Sequence, residues 1–147
     1  MSGTGGGGRY GNIGITPFTG EPRTSADTFS QEDEAAETGY YTVTLQPAGV
    51  KAELTVTPRV GVHRYTFPRE SEANILIDVG AVIQTTDALH IPGTTTGTST
   101  GGFVEVVSKR EIIGRGDFRG GWGHNFPYSV YFCGSYAVYV VPGSSSA

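Results

Sequence analysis

The sequence predicts an all-β chain folded as an antiparallel β-sandwich, and three observations carry that prediction. Two runs alternate polar and apolar residues at the strand period, turn residues separate many short runs, and almost no stretch has helical composition. In "YYTVTL", Tyr41, Val43 and Leu45 fall on one face, with Tyr40, Thr42 and Thr44 on the other. In "VKAELTVT", Val50, Ala52, Leu54 and Val56 oppose Lys51, Glu53, Thr55 and Thr57. "QPAG" separates the two runs, and so short a connection, holding Pro47 and Gly49, predicts a hairpin.

The other elements follow along the chain. Gly11 to Thr16 reads as a first strand. "QEDEAAE" has helix-friendly composition but is too short to hold a helix alone, and a solvated charged loop is the better reading. Its acids, Glu32, Asp33, Glu34 and Glu37, do not follow the spacing of a calcium-binding EF-hand loop. "VGVHRYTF" reads as a strand that places His63 beside Tyr65 and Phe67, which predicts a hydrogen-bonded core histidine. "ANILIDVGAVI" is almost continuously apolar, as in a strand buried on both faces at the centre of a large sheet. "TTTGTSTGG", Thr94 to Gly102, reads as a mobile surface loop. Further strands are predicted at Phe103 to Ser108, Glu111 to Arg115, Ser129 to Phe132 and Tyr136 to Val141. "REIIGRGDF" gathers Arg110, Glu111, Arg115 and Asp117 into a polar strand edge, and "PGSSSA" reads as a disordered tail.

Composition narrows the function. A chain of 147 residues suits one domain, and a net charge of -4 provides no basic field for nucleic acid. The single cysteine, Cys133, rules out an internal disulfide and a thiolate-rich zinc site, and its apolar setting "VYFCGSY" predicts a buried thiol. No apolar run is long enough to span a bilayer as a helix. "MSGTGGGGRY" has neither the charged start nor the apolar stretch of a signal peptide. The 23 glycines point to many loops between short elements. His90 has no supporting context. The only tryptophan, Trp122, sits among glycines in "GGWGHNFPY", a segment that reads as a loop, and loops carry function more often than cores do.

Four collinear segments carry a resemblance to a known family: "SGTG" at Ser2 to Gly5, "FSQEDEAAETGYYTVTL" at Phe29 to Leu45, "GVKAELTVTPRVGVHRYTFP" at Gly49 to Pro68, and "GGWGHNFPYSVYF" at Gly120 to Phe132. Together they resemble the N-terminal domain of the glycoside hydrolase family 92 α-mannosidases. The resemblance implies a β-sandwich of the galactose-binding or supersandwich kind over residues 1–141, with 142–147 as a tail. It also implies a larger (α/α) barrel that lies beyond this chain. The cleft between the two parts would hold mannose-containing glycans and a Ca2+ ion, with the general acid, general base and most calcium ligands on the barrel. Two positions depart from the family pattern: Gly6 stands where a cysteine is expected, and Gln31 replaces the histidine of "FSHE". Met1 falls inside the first motif, so the sandwich reads as clipped at its N-terminal side.

The resemblance makes Trp122, Gly121, His124, Ser2 and Thr4 the candidate substrate-binding residues. The indole would cover the apolar face of a sugar, His124 and the two hydroxyls would bind sugar hydroxyls, and Gly121 would admit close backbone approach. Plain interdomain packing remains the alternative for Trp122. An inverting glycosidase needs two carboxyls about 6.5 to 9.5 Å apart, and no such pair is nominated here. The chain alone is therefore expected not to hydrolyse glycosides. A self-standing lectin-like module and a purely structural docking domain are the rival readings, and the family resemblance implies a secreted or periplasmic setting.

Overall fold

The structure, a computed structural model, describes residues 12–25, 28–69, 71–82, 95–121 and 126–139. Nine strands and no helix occur among the described residues, in open sheets that do not close into a barrel, so the all-β sandwich class is as predicted. The chain divides into two compact units, Ile15–Ile77 and the combination of Met1–Gly14 with Asp78–Ala147.

The first unit contains a four-stranded antiparallel sheet of β2 (Ser30–Glu37), β3 (Tyr40–Gln46), β4 (Val50–Val56) and β5 (Gly61–Thr66). The predicted hairpin joins β3 to β4, with Gly49 at a φ of 63°, a conformation that suits glycine. Val43 lies opposite Ala52 and Leu45 opposite Val50, so the predicted apolar faces coincide. Val43, Leu45 and Ala52 form the core cluster, with Tyr41 and Tyr65 packed against it. Each fully buried valine or leucine contributes about 1.5–3 kcal/mol. A separate two-stranded sheet pairs β1 (Gly14–Thr19) with β6 (Ala73–Asp78). Its first strand starts later than predicted, and Gly11 lies outside the described residues.

"QEDEAAE" is neither helix nor loop: it forms most of β2, hydrogen-bonded to β3. Every residue of β2 is exposed, so its acids stay hydrated. A register shift between Glu32 and Ala35, with Asp33 at a φ of 51°, marks a bulge. A charged, bulged strand at a sheet edge is a poor template for further pairing, which explains why acids are placed there. The apolar run that starts at Ala73 is also corrected. Strand β6 ends at Asp78, whose carboxylate accepts the Gly80 N–H at 2.8 Å and turns the chain, and Ile75 is exposed rather than buried. His63 is exposed rather than in the core, although it is hydrogen-bonded as expected: its Nδ1 lies 2.8 Å from the Tyr65 hydroxyl. The two rings meet at 83° with centroids 5.8 Å apart, and partial desolvation lowers the imidazole pKa.

In the second unit β7 (Thr95–Ser108), β8 (Glu111–Gly121) and β9 (Pro127–Ser135) form an antiparallel meander with β8 in the middle. From Thr95 onward the predicted surface loop is part of β7, its threonines and glycines paired to β8 through register shifts that absorb the irregular sequence. The Arg110 to Asp117 stretch likewise lies mostly on the central strand, flanked on both sides, rather than on an edge. Several glycines in these strands serve packing rather than turning. A β-carbon at Gly116 would overlap the Val79 carbonyl and the Phe118 ring, and one at Gly114 would overlap the Phe132 ring. Cys133 is exposed, because β9 alternates strictly and places it on the same outward face as Tyr131. Tyr136 to Tyr139 do not form the predicted last strand. Val138 and Tyr139 stand 84% exposed there, and the rest of that stretch lies outside the described residues.

Candidate functional site

The predicted sugar-facing segment connects β8 to β9. Near the end of β8 Gly120 is buried, at a φ of 86°, and Gly121, the last residue of the strand, pairs with Thr95 of β7. A side chain at position 120 would be strained, so glycine is required where the chain leaves the sheet. Trp122 and His124 lie outside the described residues, as do Ser2, Thr4 and Gly6. Of the five predicted site residues, Gly121 is described, at the mouth of the connection.

The base of the connection is well defined. Arg119 lies opposite Pro127, Phe118 opposite Tyr128 and Asp117 opposite Ser129. Phe118 is fully buried, and its ring stacks on Tyr128 at 5.6 Å between centroids and 27° between planes. On the opposite face the Ser129 hydroxyl donates to Asp117 Oδ1 at 2.6 Å, and Arg115 donates to Asp117 Oδ2 at 2.9 Å. The serine hydrogen bond, and then the Arg115 charge and its hydrogen bond, hold the Asp117 carboxyl below the usual range despite some opposing desolvation. The Arg115 guanidinium also lies 5.6 Å from the centroid of the Phe103 ring.

A second polar cluster occupies the four-stranded sheet. The Glu53 carboxylate, on β4, accepts from Tyr40 Oη at 2.6 Å and from two Arg64 nitrogens, with Lys51 Nζ at 3.8 Å. The Arg64 hydrogen bond first, and the Tyr40 hydrogen bond second, bring its pKa down from 4.5 to about 2. A carboxylate so held stays ionised at neutral pH and is unsuited to act as a general acid. The acids of β2 are used as cross-strand partners: Tyr41 donates to Glu34 at 2.8 Å and Gln46 to Glu32 at 3.0 Å. Gln31, which replaces the family histidine, lies opposite Leu45.

Among the described residues no group of three or more His, Cys, Asp or Glu side chains is arranged to hold a metal ion. The described donors therefore do not form a calcium site. The sequence grouped Arg115 with Asp117, whereas Ser129 and the whole Glu53 cluster were not foreseen. Asp117 and Glu53 were visible as acids on strands, but their partners Ser129 and Arg64 are distant in sequence and are chosen by register. No helix among the described residues is long and apolar enough to cross a membrane.

Comparison with known proteins identifies the fold. The chain is similar to the family GH92 α-mannosidase of Bacteroides thetaiotaomicron in two solved structures, one of them in complex with mannoimidazole. Each likeness has a TM-score of 0.65 and 28% sequence identity and covers 84% of this chain. This chain spans 16% of that enzyme's length. No curated protein sequence matches it. The family description "Glycosyl hydrolase family 92 N-terminal domain" matches residues 1–140, and the chain therefore belongs to that family.

Proposed function

We propose that this chain is the N-terminal β-sandwich part of an inverting exo-α-mannosidase, and that it forms one wall of the mannose cleft without carrying the principal catalytic groups. The observation that carries the reading is the family match over residues 1–140, joined to an 84% overlap with an α-mannosidase solved with mannoimidazole. On this reading Trp122 covers the apolar face of the sugar, His124, Ser2 and Thr4 bind its hydroxyls, and Gly121 admits the backbone. The acid, the base and most calcium ligands come from a catalytic (α/α) barrel. The two acids that the described sheets bring into clusters, Glu53 and Asp117, are already ion-paired with Arg64 and Arg115, which supports a binding role over a chemical one. A secreted or periplasmic setting goes with the reading by family resemblance.

The test has two arms. The purified chain, supplied with calcium and an α-linked mannobiose, should release no mannose. Release that EDTA abolishes and a mock preparation lacks would overturn the proposal. In the enzyme assembled with its barrel domain, Trp122→Ala should lower kcat/KM by about two- to tenfold, the worth of one aromatic stacking contact. An unchanged kcat/KM would remove Trp122 from the sugar site. Saturable quenching of Trp122 fluorescence by mannose but not galactose in the isolated chain would instead favour a self-standing lectin-like module.

A further inference from the structure

The outward face of the three-stranded sheet carries a row of side chains that the cleft does not use. Phe103 on β7, Arg115 on β8 and Tyr131 on β9 are direct cross-strand neighbours, so all three stand on one face. Tyr131 is 70% exposed and Phe103 43%, and the Arg115 guanidinium lies 5.6 Å from the centroid of the Phe103 ring. With neighbouring strands about 4.8 Å apart, the two aromatic positions are separated by about 10 Å. Two residues along β8 on the same face, Asp117 lies between Ser129 on β9 and Gly101 on β7, and Gly101 has no side chain to cover the carboxylate. Gly116 and Phe118 alternate with these residues and are buried on the inward face.

Asp117 accepts from Ser129 on one oxygen and from Arg115 on the other, and each oxygen retains a second lone pair for an incoming hydroxyl. Within the pair the carboxylate and guanidinium charges cancel, so the face favours neither an anion nor a cation. Exposed rings beside a neutralised set of donors and acceptors fit a neutral ligand that has apolar ring faces and many hydroxyls, which is a carbohydrate. The separation of the rings, about 10 Å across three strands, suits a chain of two or more sugars better than a single one. The geometry points to this face as a second glycan-binding surface, built from none of the residues assigned to the cleft. Tyr131 stacks on one sugar ring, Phe103, steadied by Arg115, borders the next, and Asp117 with Arg115 hydrogen-bonds the hydroxyls between them. The choice of an α-linked mannan as the glycan rests on the mannosidase reading, whereas the surface itself does not.

Cys133 follows Tyr131 on the same outward face and is the only cysteine, so its reaction with Ellman's reagent reports on this surface alone. An α-linked mannotetraose should slow that reaction saturably in the native chain, and free mannose, with one ring, should need a higher concentration. Tyr131→Ala should leave the circular dichroism spectrum unchanged and raise the half-protecting concentration of the tetrasaccharide by about two- to tenfold, the worth of one aromatic contact. Tyr139→Ala is the control: it removes an equally exposed tyrosine beyond the end of β9 and should change nothing. Trp122→Phe, which alters the residue assigned to the cleft, should leave the protection of Cys133 as in the parent chain.

The surface is overturned if neither mannotetraose nor cellotetraose protects Cys133, if free mannose protects as well as the tetrasaccharide, or if Tyr131→Ala is protected as well as the parent. Protection that Trp122→Phe abolishes and Tyr131→Ala preserves would also overturn it and assign the binding to the cleft. In the enzyme assembled with its barrel domain, a Cys133 that resists Ellman's reagent without any sugar would mean that protein covers this face, and would overturn the proposal in favour of a domain interface. Should Tyr131→Ala unfold the chain, Phe103→Ala, at the other end of the row, is read in its place with the same expectation. Protection by cellotetraose and not by mannotetraose upholds the surface and counts against the mannosidase reading.

Discussion

Replacement of Gly116 by alanine tests the packing of the three-stranded sheet most sharply. Gly116 is in the middle of β8, and its backbone lies outside the left-handed region, so alanine there would ordinarily gain about 0.5–1 kcal/mol by restricting the unfolded chain. The new methyl group, however, would meet the Val79 carbonyl and the edge of the Phe118 ring. Neither obstacle gives way easily, since one is backbone and the other belongs to a fully buried side chain. Overpacking of this kind costs about 1–3 kcal/mol. With two rigid neighbours the upper end applies, and after the unfolded-state gain a net loss of about 2 kcal/mol remains. For a chain of this length that lowers Tm by about 4–8 °C. Urea unfolding followed by circular dichroism should show it as a lower midpoint at unchanged m. Phe118→Leu removes one of the two obstacles, so the double variant should be more stable than the sum of the single losses by about 0.5–1 kcal/mol. A Gly116→Ala chain as stable as the parent would refute this account of why β8 carries glycine.

Two further predictions concern groups with defined surroundings. Glu53 has a folded pKa of about 2 against an ordinary 4.5, so its stabilisation is present above pH 4.5 and is lost as pH falls through 2. Glu53→Gln should therefore flatten the dependence of Tm on pH in that acid window, and parallel curves for the two chains would argue against the Arg64 and Tyr40 contacts. Cys133 is exposed on the outward face of β9, so Ellman's reagent should label the native chain rapidly. Labelling that required denaturant would return the thiol to the interior.

How much of this was legible in the sequence depends on whether the signal is local. The alternation in "YYTVTL" and "VKAELTVT" determined β3, β4, their shared hairpin and the core of Val43, Leu45, Val50 and Ala52, because side chains two apart in an extended chain share a face whatever the partner. The collinear motifs from Ser2 to Phe132 determined the family in the same direct way, and they singled out the connection that holds Trp122. Pairing could not be read locally. "QEDEAAE" has no strand propensity of its own and becomes β2 because β3 offers it a ladder of hydrogen bonds, with its charges left in water. The threonine and glycine tract becomes the start of β7 for the same reason. The outward facing of Cys133, the Arg64 partner of Glu53 and the Ser129 partner of Asp117 each follow from register, and a shift of one residue would have reversed all three. Alternation belongs to the strand itself, whereas register is set by the whole sheet, and only the tertiary structure decided it.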